Sequence, residues 1–199
     1  PPVSGTLSLT VVASTRPLVQ TTDDQVPDAH QGQPVTVAVL DNDTNPFPGE
    51  DLTLVGAYGE TGVTENVTFT DDEVTVTPGA DFHGVATVRY RVQDATEDPD
   101  RQVEGVLKVT VLGRPEAPKA PVVEEVRSKT VVLSWQQPNN NGADITGYTL
   151  TASDGSTKDC TTTTCTFDGL TNDVEYTFTV TATNDVGESD PSPASDMAP

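Results

Sequence analysis

Residues 131–187 constrain the fold of this chain more than any other stretch, because their apolar side chains recur at every second position. Val131, Leu133 and Trp135 form one row, Tyr148, Leu150 and Ala152 a second, and Tyr176, Phe178, Val180 and Ala182 a third. A period of two puts successive side chains on opposite faces of a strand, so each row faces a common core. Thr177, Thr179, Thr181 and Thr183 take the outward positions of the third row. Leu170 precedes Tyr176 by six residues. That spacing suits a corner in which a buried tyrosine directs its hydroxyl at upstream backbone.

These rows, together with DGLTNDVEYTFTVTATNDVG at 168–187, resemble a fibronectin type III domain over roughly residues 115–197. Asn172 stands where many members have proline, and Val174 where threonine is common. Both departures touch one turn and leave the core rows intact. The resemblance implies a β-sandwich scaffold, a fold that hosts many unrelated tasks.

At 199 residues the chain has room for two ordinary domains, each with its own core. A second alternating set fills residues 17–113. PVTVAVL (34–40) stops at Asp41-Asn42-Asp43, a turn signal, and DLTLVGAY (51–58) follows. NVTFT (66–70) and EVTVTP (73–78) flank Asp71-Asp72 as a hairpin would. In VATVRYRVQD (85–94), Val88, Tyr90 and Val92 are expected to face in, and Arg89 and Arg91 out. This segment resembles the bacterial cadherin-like or Ig-like repeats of surface proteins, with a divergent type III domain as the alternative. The expected architecture is all-β: two tandem Ig-like/fibronectin type III β-sandwiches at 17–113 and 122–199. The linker at 114–121, within GRPEAPKAP (113–121), has prolines at every third residue and joins them as a semi-rigid, polyproline-like spacer. The tail after Pro191, rich in Ser, Pro and Ala, is expected to fray or to continue into a further linker.

VSGTLSLTVV at 3–12 can be laid over VEGVLKVTVL at 103–112, with Val3, Gly5, Leu7, Thr10 and Val11 recurring as Val103, Gly105, Leu107, Thr110 and Val111. Arg-Pro follows each copy, at Arg16-Pro17 and Arg114-Pro115. An offset of 100 residues is one sandwich domain long. Residues 1–13 are therefore expected to be the last strand of a preceding repeat. The chain opens on Pro1-Pro2, has no signal peptide or wall-sorting tail, and reads as a fragment of a longer array.

Net charge is −21 and evenly shared: residues 1–113 carry 18 acids and 5 bases, residues 114–199 carry 13 and 5. Such a surface repels phosphate backbones and anionic lipid, which argues against nucleic acid as a partner. No apolar run is long enough to span a bilayer, so direct membrane insertion is not expected. Cations or a basic protein face are favoured instead.

Cys160 and Cys165 flank four threonines. They are expected to form a structural disulfide across a hairpin tip, contributing about 2 kcal/mol and placing the chain in an oxidising, extracellular compartment. Their spacing matches neither zinc knuckles nor redox motifs.

No catalytic constellation can be assembled around His30 or His83, and no acid sits in an apolar run that would raise its pKa, so the chain is read as non-enzymatic. Calcium is the one cofactor considered. Asp41, Asp43 and Asp51 flank the 40–51 loop and Asp94 closes the Tyr90 strand, together offering oxygen ligands to a hard cation. Lys108 lies out of phase with the inward residues beside it and should face solvent, which disfavours an intramolecular Lys–Asn cross-link.

Loops on a rigid sandwich are where contacts usually lie. Asn139, Asn140 and Asn141 in one loop, and Asn184, Asp185 and Glu188 in another, are the candidate ligand residues. The expected partner is a protein, with a host surface or soluble protein considered, alongside neighbouring repeats of the same chain. The functional reading is an adhesion or protein-binding module of a bacterial cell surface. A passive stalk and an accessory module of a secreted polysaccharide-active enzyme are its rivals. Cytokine-type ligands enter only by fold analogy, and the Trp-Ser signature of their receptors is missing around residues 189–192.

Overall fold

The computed structural model describes residues 4–62 and 66–198. Within them the chain builds two β-sandwiches, and the one helical element is a 3-10 turn at Pro99–Arg101. The first sandwich contains β1 (Asp24–His30), β2 (Val35–Val37), β3 (Thr53–Thr61), β4 (Val67–Phe69), β5 (Val74–Val76), β6 (Gly84–Gln93) and β7 (Val103–Leu112). One sheet runs β1-β7-β6-β3 and the other β2-β5-β4. All pairings are antiparallel except β1 with β7, which is parallel. The β1 register slips between Val26 and Ala29, around Pro27, which lacks the amide a regular ladder needs.

The alternation read from the sequence sets this core. Val88, Tyr90 and Val92 are buried, as are Leu107, Val109 and Val111 on the neighbouring β7. Arg89 and Arg91 point out to Glu60 and Glu104 at 3.0 and 3.5 Å. Lys108 is exposed, as its phase requires. Gly105 on β7 lies under the Tyr90 ring so closely that a Cβ there would fall 2.1 Å from Cζ. Only glycine lets the ring lie flat on that strand.

The second sandwich contains β8 (Val122–Arg127), β9 (Thr130–Ser134), β10 (Gly147–Ala152), β11 (Thr157–Cys160), β12 (Thr164–Asp168) and β13 (Phe178–Thr183), in sheets β12-β9-β8 and β11-β10-β13. All three expected rows are buried in its core. The Tyr176 hydroxyl accepts a hydrogen bond from the Thr171 amide at 3.2 Å. Upstream backbone is thus its partner, with the phenolic oxygen as acceptor.

Two expectations change in this domain. Cys160 and Cys165 are bonded, but not across a hairpin tip. Cys160 lies in β11 and Cys165 in β12, which belong to different sheets, so the bond closes the crossover between the two layers. The tail does not fray either. Ser189, Ser192, Ser195 and Ala198 donate their amides to the carbonyls of Ala182, Val180, Phe178 and Tyr176 at 2.8–2.9 Å. In return, the amides of Ala182, Val180 and Phe178 donate to the Oγ atoms of Ser189, Ser192 and Ser195 at 2.9–3.0 Å. Each of these hydroxyls donates to the carbonyl of the residue that follows it, at 2.8–2.9 Å. A polyproline-like helix has three residues per turn, which returns a serine to β13 at every turn. Side-chain oxygens stand in for the carbonyls that a two-residue period would have supplied.

Candidate functional site: the loops at the domain junction

The linker leaves β7 at Gly113 and turns at once against the second sandwich. The Gly113 amide donates to the Asn141 carbonyl at 3.0 Å and the Glu116 amide to the Asn139 carbonyl at 2.9 Å. Asn141 Nδ2 donates back to the Arg114 carbonyl at 2.7 Å. From the first sandwich, Gln31 Oε1 accepts from the Arg114 amide at 3.1 Å. Close packing seals the turn: a Cβ on Gly113 would lie 2.9 Å from His83 Cβ, and one on Gly142 would lie 2.8 Å from Leu112 Cδ2. Gly142 also has φ of +100° and Asn141 of +50°, conformations suited to glycine and tolerated by asparagine. The linker prolines Pro115, Pro118 and Pro121 are all buried, so their three-residue spacing packs one face of an extended segment.

Asn184 sits at the centre of this arrangement, 4% exposed. Its Nδ2 donates to the carbonyls of Gly113 at 2.8 Å and Asn140 at 3.0 Å. Its Oδ1 accepts the amides of Val186 at 2.9 Å and Gly187 at 3.1 Å. One buried amide thus joins the linker, the 138–144 loop and the 184–188 loop. Arg114 adds a bond from Nη1 to the Glu188 carbonyl at 3.2 Å.

The structure therefore divides the expected ligand residues. Asn139, Asn140, Asn141 and Asn184 have backbone or side-chain groups committed to the junction or to their own turn, and for Asn184 burial makes that pairing necessary. Asp185 and Glu188 stay exposed beside it. Glu188 Oε1 accepts from Thr181 Oγ1 at 2.6 Å, which steadies the carboxylate without burying it. Asparagine in a turn carries the same sequence signature whether it faces a ligand or a linker, so the sequence reading could not separate these roles.

The expected calcium acids are also divided. Asp43 and Asp51 line one open groove of about 620 Å³ with Glu50, Asp71 and Asp72. Asp94 is elsewhere and is already occupied. Its Oδ2 accepts from Arg101 Nη2 and Nε, both at 2.8 Å, and its Oδ1 accepts from the amide and hydroxyl of Thr96 at 3.0 and 2.5 Å. Burial acts to raise the Asp94 pKa, but the bonds from Thr96 and Arg101 outweigh it and hold the group below the usual carboxylate range. A carboxylate with both oxygens saturated is no free ligand for a cation. Asp41 is exposed and not part of that groove lining. Among the described residues, no group of three or more His, Cys, Asp or Glu side chains is arranged to hold a metal ion.

Arg101 is the residue that sequence reading missed. It is 7% exposed and also donates to the carbonyls of Ser14, Arg16 and Pro17 at 2.8–3.3 Å, fixing the chain as it enters the first sandwich. A second buried cluster surrounds Tyr90, whose hydroxyl lies 3.2 Å from Asp24 Oδ2 and 3.3 Å from the Val39 carbonyl. Desolvation, reinforced by nearby Asp43 and only partly offset by the Tyr90 bond, lifts Asp24 to about 6. Asp43 is raised as well, chiefly by desolvation, and its Oδ2 is buried without a partner.

Comparison with known proteins agrees with this geometry. Residues 14–110 match the family described as Bacterial Ig domain, and residues 116–197 match Fibronectin type III domain. The chain is a bacterial Ig domain followed by a fibronectin type III domain. This bacterial Ig–fibronectin type III pair is 32% identical over 95 residues to receptor-type tyrosine-protein phosphatase S of Gallus gallus, covering 45% of this chain. It is 40% identical over 90 residues to Roundabout homolog 1 of Mus musculus, covering 41%. The pair spans 6% of the length of each of these relatives. A crystal structure of domains from titin overlays 86% of the chain and 60% of its own, with a TM-score of 0.51 at 20% identity, a likeness of fold. Domains of these two families occur in adhesion and receptor proteins and are typically non-catalytic, which supports a protein-interaction module in the general sense.

Proposed function

We propose that this pair of domains is a non-enzymatic, extracellular protein-binding segment of a bacterial surface protein, and that the exposed rim of the junction is its contact face. The observation that carries the reading is the 184–188 loop. Asn184 pins it into the junction, while Asp185 in its turn and Glu188 where it rejoins the sheet opposite Thr183 stay exposed. Binding residues are most effective where a rigid scaffold holds an exposed loop without further ordering on contact. With a net charge of −21, the partner that fits is a protein with a basic face, met faster at low salt. The Cys160–Cys165 bond supports an oxidising location outside the cell. No helix among the described residues is long and apolar enough to cross a membrane.

Asp185→Lys with Glu188→Lys tests this, because both side chains are exposed and outside the core. A partner captured by the native pair should bind the variant at least 10-fold more weakly, with unchanged melting. Equal binding by the variant would remove the rim as the contact face. Changes at Asn139, Asn140, Asn141 or Asn184 are poor probes of binding, since they also loosen the junction. A passive stalk is the second reading, favoured by the bonded linker. It predicts that no partner saturates the pair at all.

A further inference from the structure

Residues 4–13 carry no strand partner, and Leu7, Leu9, Val11 and Val12 are exposed by 83%, 78%, 92% and 76%. Three of them, Leu7, Leu9 and Val11, alternate as on one face of a strand, and such a row standing in water marks a surface that is covered in the assembled protein. Strand β7 shows what covers such a surface. Its inward residues Leu107, Val109 and Val111 are fully buried, and Gly105 lies beneath the Tyr90 ring of the antiparallel neighbour β6. The arm repeats that inward face position by position, with Gly5, Leu7, Leu9 and Val11 in the same phase. Ser4, Thr6, Ser8 and Thr10 hold the outward positions. Gly5 is the telling residue. A Cβ there would meet nothing within 4 Å, whereas its counterpart Gly105 leaves room only for an aromatic ring. Downstream, Arg101 clamps Ser14, Arg16 and Pro17, so the arm leaves the first sandwich from a fixed point.

We propose that residues 3–12 are the last strand of another bacterial Ig-type sandwich, the repeat preceding this one in the same polypeptide. They complete it by pairing antiparallel with a penultimate strand that lays an aromatic ring over Gly5. Val3, the first residue of this strand, lies outside the described residues. The inference is independent of the ligand-binding reading and survives its failure.

The test uses the whole chain with the arm's sequence grafted into β7: Glu104→Ser, Val106→Thr, Lys108→Ser, Val109→Leu and Leu112→Val. The grafted chain should keep the first sandwich's cooperative transition within about 10 °C of the parent. Adding Gly105→Val to the graft should abolish that transition, and a graft shifted by one residue should not fold, because the shift turns every inward side chain outward. A version retaining Val109 separates overpacking at that position from failure of the strand. Loss of the transition in both versions, or equal folding by the shifted graft, would overturn the proposal. The second arm extends the chain with its natural upstream sequence. One further cooperative transition should appear, and deletion of residues 3–12 should remove that transition alone. Its survival after the deletion, or its absence from the extended chain, would refute the assignment.

Discussion

Ser192→Ala should expose how the final segment is held. In the native chain the buried Val180 amide donates to Ser192 Oγ at 2.9 Å, and that hydroxyl donates to the Pro193 carbonyl at 2.8 Å. Alanine keeps the bond from its own amide to the Val180 carbonyl but leaves the Val180 amide without an acceptor. A buried donor left unsatisfied costs roughly 1–3 kcal/mol, and Val180 is fully buried, so about 2 kcal/mol is expected. For a domain of this size that corresponds to a fall of about 8–16 °C in the second transition by calorimetry. The first transition should not move. Hydrogen exchange gives the sharper reading: a loss of about 2 kcal/mol speeds exchange at Val180 by roughly 30-fold when it opens with the domain. Ser192→Thr retains the oxygen and should restore most of the protection. Native exchange at Val180 in the alanine variant, with a melting shift under about 2 °C, would show that the serine oxygen does not hold the strand.

Arg101→Met should destabilise the first sandwich by about 3–5 kcal/mol, because it strands the buried Asp94 charge and frees three carbonyls; denaturant titration of that transition measures the loss. The first sandwich should also gain stability on acidification from pH 7 to about 4. Asp24 is raised to about 6 in the fold, so the fold binds its proton more tightly than the unfolded chain does. The Asp24 share of that gain is about 1–2 kcal/mol after allowing for partial exposure, and Asp24→Asn should reduce the gain in a pH series of melts, leaving the smaller part due to Asp43. Below about pH 4 the trend reverses as Asp94, held low in the fold, takes up its proton and that pair's stabilisation is lost. Reduction of Cys160–Cys165 should cost the second sandwich about 2 kcal/mol and leave the first unchanged, as calorimetry with and without reductant would show.

Legibility in the sequence followed periodicity. The rows at Val131–Trp135, Tyr148–Ala152 and Tyr176–Ala182 could be read because a two-residue period has one structural meaning, and the fold places each row in the core. Ser189, Ser192 and Ser195 were equally regular, but at a period of three, and so resembled an unordered tail. Contacts between distant residues left weaker marks. Nothing local distinguishes Asp94, saturated by an arginine seven residues on, from Asp51 beside an open groove. The junction was hidden for the same reason: Asn184 meets Gly113 across 71 residues of chain.

The parallel pairing of β1 with β7 has a mechanical consequence. The chain approaches β1 from its N-terminal side and leaves β7 toward the linker, and the two strands run in the same direction. Tension applied through the neighbouring segments therefore drags these strands past one another along their length. Bonds from Asp24 to His30 share the load in shear and must yield together, rather than opening one by one from an end. The edge that closes this sheet is also the clasp that resists its being pulled apart.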